Sequence, residues 1–83
     1  MQHIIVVERT FSSPPSDEDL TAAGIRERPC LATYGVTWRR SILSADRLRM
    51  VCQYEAPDAE SVRKVQREAG NGFERVWPGT VIE

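Results

Sequence analysis

Between Gly35 and Ala56 the chain holds two runs that alternate in character, VTWRRSIL and LRMVCQYE, joined by only four residues, SADR. Side chains alternate across a strand, and two such runs with so short a link pair as an antiparallel hairpin. Strict alternation puts Val36, Trp38, Arg40 and Ile42 on one face of the first strand and Thr37, Arg39, Ser41 and Leu43 on the other. In the second strand Leu48, Met50, Cys52 and Tyr54 oppose Arg49, Val51, Gln53 and Glu55. A lone hairpin is marginal in water, so the flanking segments must supply more strands or covering helices.

The N-terminal flank begins with HIIVVERTF, rich in β-branched residues and closed by SSPPS. It reads as a strand from His3 to Thr10. The run IIVV does not alternate, which predicts cover on both faces and a central place in the sheet. Ser16 then caps a helix whose first turn carries Asp17, Glu18 and Asp19, the charge that suits a helix N-terminus. Leu20, Ala23, Gly24, Glu27, Leu31 and Tyr34 follow at helical spacing. Pro29 removes a backbone donor within this run and predicts a kink or a restart. Gly35 supplies the stop.

Beyond the hairpin, Asp58 caps a second helix with Val62, Val65 and Ala69 as its apolar stripe, and GNG closes it. FERVWPGTVIE is the last strand. Its Pro78 confines it to a sheet edge or a bulge. The order β-α-β-β-α-β is the ferredoxin-like split βαβ arrangement, an α+β fold spanning residues 1–83 as one domain. Two helices cover one face of the antiparallel sheet. The other face, with Trp38, Val51 and Trp77, is left for a second copy of the chain, and the expected assembly is a homodimer. A chain of 83 residues buries only ~60% of the surface it exposes unfolded, which also favours pairing.

Eleven basic and twelve acidic residues give a net charge of −1, with no general attraction for nucleic acid. No signal peptide or stop-transfer segment is visible, so the reading is a cytoplasmic protein without a membrane partner. Cys30 and Cys52 are not a short-spaced pair and read as free thiols. RNA-recognition domains stack bases on aromatics in the first and third strands, and here HIIVVER and LRMVCQYE carry no basic–Gly–aromatic signature. The loop TFSSPPS lacks the paired thiolates of a copper carrier, and it lacks the glycine and arginine of a phosphate cradle. No Walker sequence, dinucleotide fingerprint or His-Glu-x-x-His is present.

The candidate site residues are those expected to border a pocket between helix and sheet or between chains: Glu27, Trp38, Arg40, Cys52 and Tyr54. Glu27 falls on the apolar stripe of its helix, where a carboxylate must be paired, protonated or functional. Arg40 is long enough to be its partner or an anion clamp. The first reading is a binding protein for a small anionic or aromatic ligand, or for a weakly held metal. The alternative is a cofactor-free isomerase, cyclase or oxygenase of the dimeric α/β-barrel type, with Glu27 or His3 moving the proton. A Cys52–His3 pair on adjacent strands is a further nucleophile arrangement, against a plain core thiol.

Trp38 and Ser41, then Cys52, Tyr54, Ala56 and Pro57, then Asp58, Glu60, Ala69 and Gly70 form a combined pattern: Trp-x-x-Ser, a hairpin, Cys-x-Tyr-x-Ala-Pro, an acidic helix start and Ala-Gly. It resembles a family of small bacterial proteins of unknown function, some described as nickel-binding. The resemblance implies a ferredoxin-like homodimer. The residues alone require no cofactor, and nickel enters only through this likeness. Many relatives carry histidines where this chain has Arg40 and Val65, and neither side chain ligates a metal. His3, the one histidine, is left as the metal candidate beside Cys30, Cys52 and the carboxylates, and weak nickel binding is expected.

Overall fold

A computed structural model describes residues 2–83. Its elements are β1 (His3–Thr10), α1 (Asp17–Tyr34), β2 (Thr37–Leu43), β3 (Arg49–Ala56), α2 (Ala59–Ala69) and β4 (Arg75–Gly79). The four strands form one antiparallel sheet in the order β2-β3-β1-β4. This is the β-α-β-β-α-β fold expected from the sequence. β1 is central, and Ile5, Val6 and Val7 are all buried, as the unbroken IIVV run requires. β4 lies at an edge, where Pro78 costs no ladder bond.

Each helix begins where a side chain can accept its orphan N–H groups. Ser16 and Asp19 form a reciprocal capping box on α1, and Asp58 accepts from Ser61 N–H at 2.8 Å on α2. Both helices end on a left-handed glycine, Gly35 at φ 65° and Gly70 at φ 73°. α1 runs through Pro29 as one helix, so the restart that the sequence offered beside a kink does not occur. The carbonyl left without its N–H partner is that of Ile25, four residues back, on an exposed side of the helix open to solvent.

The core lies between α2 and the sheet: Ile5, Val7, Val36, Cys52, Tyr54, Ala56, Val62, Val65 and Val76. α1 is placed differently. It packs chiefly on α2 and hardly on the sheet, and its only buried residue is Glu27. Leu20, Leu31 and Tyr34 are half-buried, so an open groove runs between α1 and the β2–β3 hairpin.

A β-bulge corrects the expected faces of β2. Trp38 pairs with Tyr54, yet Arg40 pairs with Gln53, so Arg39 is an extra residue in the ladder. Directly paired residues share a face. Trp38, Ser41 and Leu43 therefore lie on the helix side with Tyr54, Cys52 and Met50. Arg40 and Ile42 lie on the open side with Gln53 and Val51. On that open side Trp77 pairs with Val6 and donates Nε1–H to Glu8 at 2.6 Å. Its ring lies over Gly79, where a Cβ would sit 3.0 Å from ring carbon Cζ3.

Candidate functional site

The groove has a volume of about 760 Å³. That is within the usual size of a small-molecule pocket. Its walls are Leu20, Ile25 and Leu31 from α1 and Leu43 and Met50 from the hairpin. Trp38, on β2 of the hairpin, is 54% exposed. Its Nε1–H donates to Ser41 Oγ at 3.0 Å, and Ser41 in turn donates to Cys52 Sγ at 3.0 Å. The bulge makes this possible, because two residues rather than one separate Trp38 from Ser41 on the same face. The tryptophan ring is thereby tied to the strand while one side stays open to the groove.

The floor is polar. Glu27, 9% exposed, has both carboxylate oxygens occupied by neutral donors. Oε1 accepts from the Tyr54 hydroxyl at 2.6 Å and from Gln66 Nε2 at 3.0 Å, while Oε2 accepts from Asn71 Nδ2 at 3.3 Å. Two guanidinium groups stand one amide further back. Arg9 donates to Gln66 Oε1 at 2.7 Å and to the Gly72 carbonyl at 2.6 Å. Arg26 donates to Asn71 Oδ1 at 2.8 Å and to the Ala69 carbonyl at 3.1 Å. These cations fix the amide oxygens and so turn both NH2 groups toward Glu27. No buried side-chain polar atom among the described residues lacks a partner. Burial, then the negative charge of Glu27, raises the Tyr54 phenol far above its ordinary range, which keeps its proton in place as the donor.

The structure brings Glu27, Trp38, Cys52 and Tyr54 around one groove. Arg40 is on the opposite side of the sheet, so the expected Glu27–Arg40 pair does not form, and an anion clamp built on Arg40 has no place in the groove. The physical reason is the bulge at Arg39. His3 is also apart. It shares the helix face with Cys52, but it pairs with Ala56 whereas Cys52 pairs with Val7. Four residues of strand separate the two, roughly 13 Å, which excludes a thiol–imidazole pair.

Sequence reasoning missed Arg9, Gln66 and Asn71, all buried. Arg9 continues the inward phase of Ile5 and Val7, which demanded an acceptor. Gln66 sits four residues after Val62 and three before Ala69, and so falls on the apolar stripe of α2. Asn71 carried no signal, since its surroundings in GNG describe a turn equally well.

Fold and floor together define a ferredoxin-like α+β domain with a polar-floored groove under its first helix. The chain belongs to the nickel responsive protein SCO4226-like family, whose model matches residues 6–78. It is similar in structure to SCO4226 from Streptomyces coelicolor A3(2). The match has a TM-score of 0.86 and covers 96% of this chain and 99% of that one, at 15% sequence identity. At that identity the likeness establishes the shared fold. No curated protein matches the chain.

Proposed function

We propose that the protein is a binding module for a small aromatic molecule held in the α1–hairpin groove, and that it works as a homodimer joined through its open sheet face. The observation that carries the binding role is the buried Glu27 carboxylate at the floor of an apolar groove. A buried carboxylate held only by neutral donors is costly to desolvate and is weak evidence of a stabilising role, and it is better explained as a prepared polar contact for a ligand. Gly24 supports the same reading. It lines the groove in mid-helix, and a Cβ there meets nothing within 4 Å. Glycine costs about 1 kcal/mol against alanine in a helix, a cost with no packing reason here but one that keeps the groove wide.

The dimer reading draws on the exposed apolar surface of the open face, which is Ile42 beside half-buried Val51 on the hairpin and, at the β4 edge, Trp77 beside Val6. Burying such a patch against its own copy is the commonest symmetric solution. The enzymatic alternative is less favoured. A carboxylate with both oxygens already accepting hydrogen bonds is a holding group, and His3 lies away from the groove.

Nickel, which the family description brings forward, does not fit the donors present. Among the described residues no group of three or more His, Cys, Asp or Glu is placed to hold a metal ion. Val65 is fully buried in the core and Arg40 faces away from the groove.

Titration of ¹⁵N-labelled protein with indole tests the binding role. Shifts are expected at the Trp38 ring N–H and at the Leu31 and Met50 amides, and Gly24→Trp should remove them by filling the groove. No shift in the wild type at millimolar indole would sink the proposal.

A further inference from the structure

We infer that the ligand of this groove is an aromatic amine, with its ring against Trp38 and Met50 and its N–H or ammonium group on Glu27 Oε2. This rests on the groove being the binding site proposed above, and the argument turns on which hydrogen-bonding capacity the floor has left.

The neutral donors are spent. Tyr54 has one hydroxyl hydrogen, and it points at Glu27. Gln66 Nε2 donates to Glu27 at 3.0 Å and to the Tyr54 oxygen at 3.3 Å. Asn71 Nδ2 donates to the Ala23 carbonyl at 3.1 Å and to Glu27 at 3.3 Å. An amide NH2 has two hydrogens, so neither side chain has another to give. Acceptor capacity remains at Glu27. Its Oε2 holds a single long contact of 3.3 Å, and a carboxylate oxygen accepts two. The charge on this group is also without a direct cation: no ion pair of the described residues includes Glu27.

An anionic head group meets the reverse situation. It would approach the Glu27 charge, and the guanidinium groups that might hold it are turned elsewhere. Arg9 is 7% exposed, with Nη1 on the Gly72 carbonyl and Nη2 on Gln66. Arg26 uses Nε and Nη2 on the Ala69 carbonyl and Asn71. A protonated amine supplies the missing charge-assisted bond to Glu27. The open side of the Trp38 ring and the Met50 thioether favour an aromatic body over an aliphatic one.

Three probes with one ring separate the possibilities: tryptamine, indole and indole-3-acetate, each titrated at neutral pH into the ¹⁵N-labelled full chain. The resonances followed are the Trp38 ring N–H and the side-chain amides of Gln66 and Asn71. Tryptamine is expected to bind about tenfold or more tighter than indole-3-acetate and to move the Asn71 amide. Trp38→Ala, a change at an exposed ring, should weaken all three probes, and Glu27→Gln should bring tryptamine and indole-3-acetate close together. Should Glu27→Gln fail to fold, the wild-type comparison still decides the matter. Equal affinities, or tighter binding of indole-3-acetate, would overturn the amine assignment and leave the groove reading standing. If none of the three moves the Trp38 resonance, both readings fall.

Discussion

Tyr54→Phe removes one oxygen atom from the floor of the groove without changing the shape of the ring. The lost bond is a 2.6 Å O–H···O contact to a buried carboxylate. Hydrogen bonds to charged groups contribute roughly 1.5–3 kcal/mol, and removing one partner leaves the other desolvated without compensation. Gln66 also loses its 3.3 Å second acceptor, a small addition. The change saves the desolvation of one hydroxyl. A net loss of about 2 kcal/mol is expected, and a domain of this size loses about 4–8 °C in melting temperature per kcal/mol. Urea unfolding followed by circular dichroism should show a lower midpoint with an unchanged slope. A double-mutant cycle with Glu27→Gln should give a coupling of about 1–2 kcal/mol. Tyr34→Phe, at a half-buried ring whose hydroxyl faces the exposed Glu68 rather than a buried carboxylate, is the control and should leave the midpoint close to that of the wild type. A loss under about 0.5 kcal/mol, or strict additivity with Glu27→Gln, would refute the view that the phenol holds the carboxylate.

Gly24→Ala is expected to raise stability by about 0.5–1 kcal/mol, because the helix gains a better former and the added Cβ meets open space; a loss in thermal unfolding would mean that the site is more crowded than described. Stability should fall above about pH 10, because folded Tyr54, raised by burial and by Glu27, keeps a proton that the unfolded chain gives up. That contribution is complete below the unfolded value and is lost as pH rises toward the folded one, so the fall should be smaller in Tyr54→Phe. Calorimetry of tag-free protein at neutral pH should find no sub-micromolar nickel site, and such a site would show donors gathered in a way this chain alone does not provide. Sedimentation at micromolar concentration should give about twice the 9.4 kDa chain mass, and a stable monomer would remove the homodimer.

What was legible in the sequence was what local chemistry decides. The caps at Ser16 and Asp58, the glycine stops, the hairpin and the edge place of β4 each depend on a few neighbouring residues. Glu27 stood out because it broke the apolar stripe of its helix. The bulge left no such mark. Arg39 and Arg40 are chemically alike, so nothing in VTWRRSIL says which of them is the extra residue, and one residue out of step exchanged the expected surroundings of Arg40 and Ser41. The amide relays to Arg9 and Arg26 were hidden for another reason. They join residues 57 and 45 positions apart along the chain, and no periodicity reaches so far.

The attachment of α1 has a consequence for the order in which the molecule comes apart. An apolar seam loosens gradually, but α1 has only a short one, made by half-buried Cys30, Leu31 and Tyr34 against the core. Elsewhere it is fastened by separate polar bonds: Asp17 to Arg47, Arg26 to Ala69 and Asn71, and Glu27 to Tyr54 and Gln66. Such fastenings let go together once water reaches them, while α2 stays seated on the sheet through Val62 and Val65. Amide protons of α1 should then exchange with solvent by a partial opening that spares α2. A molecule lodged beneath α1 would lengthen that seam, and the slowing of exchange along this one helix would report its presence even before its identity was known.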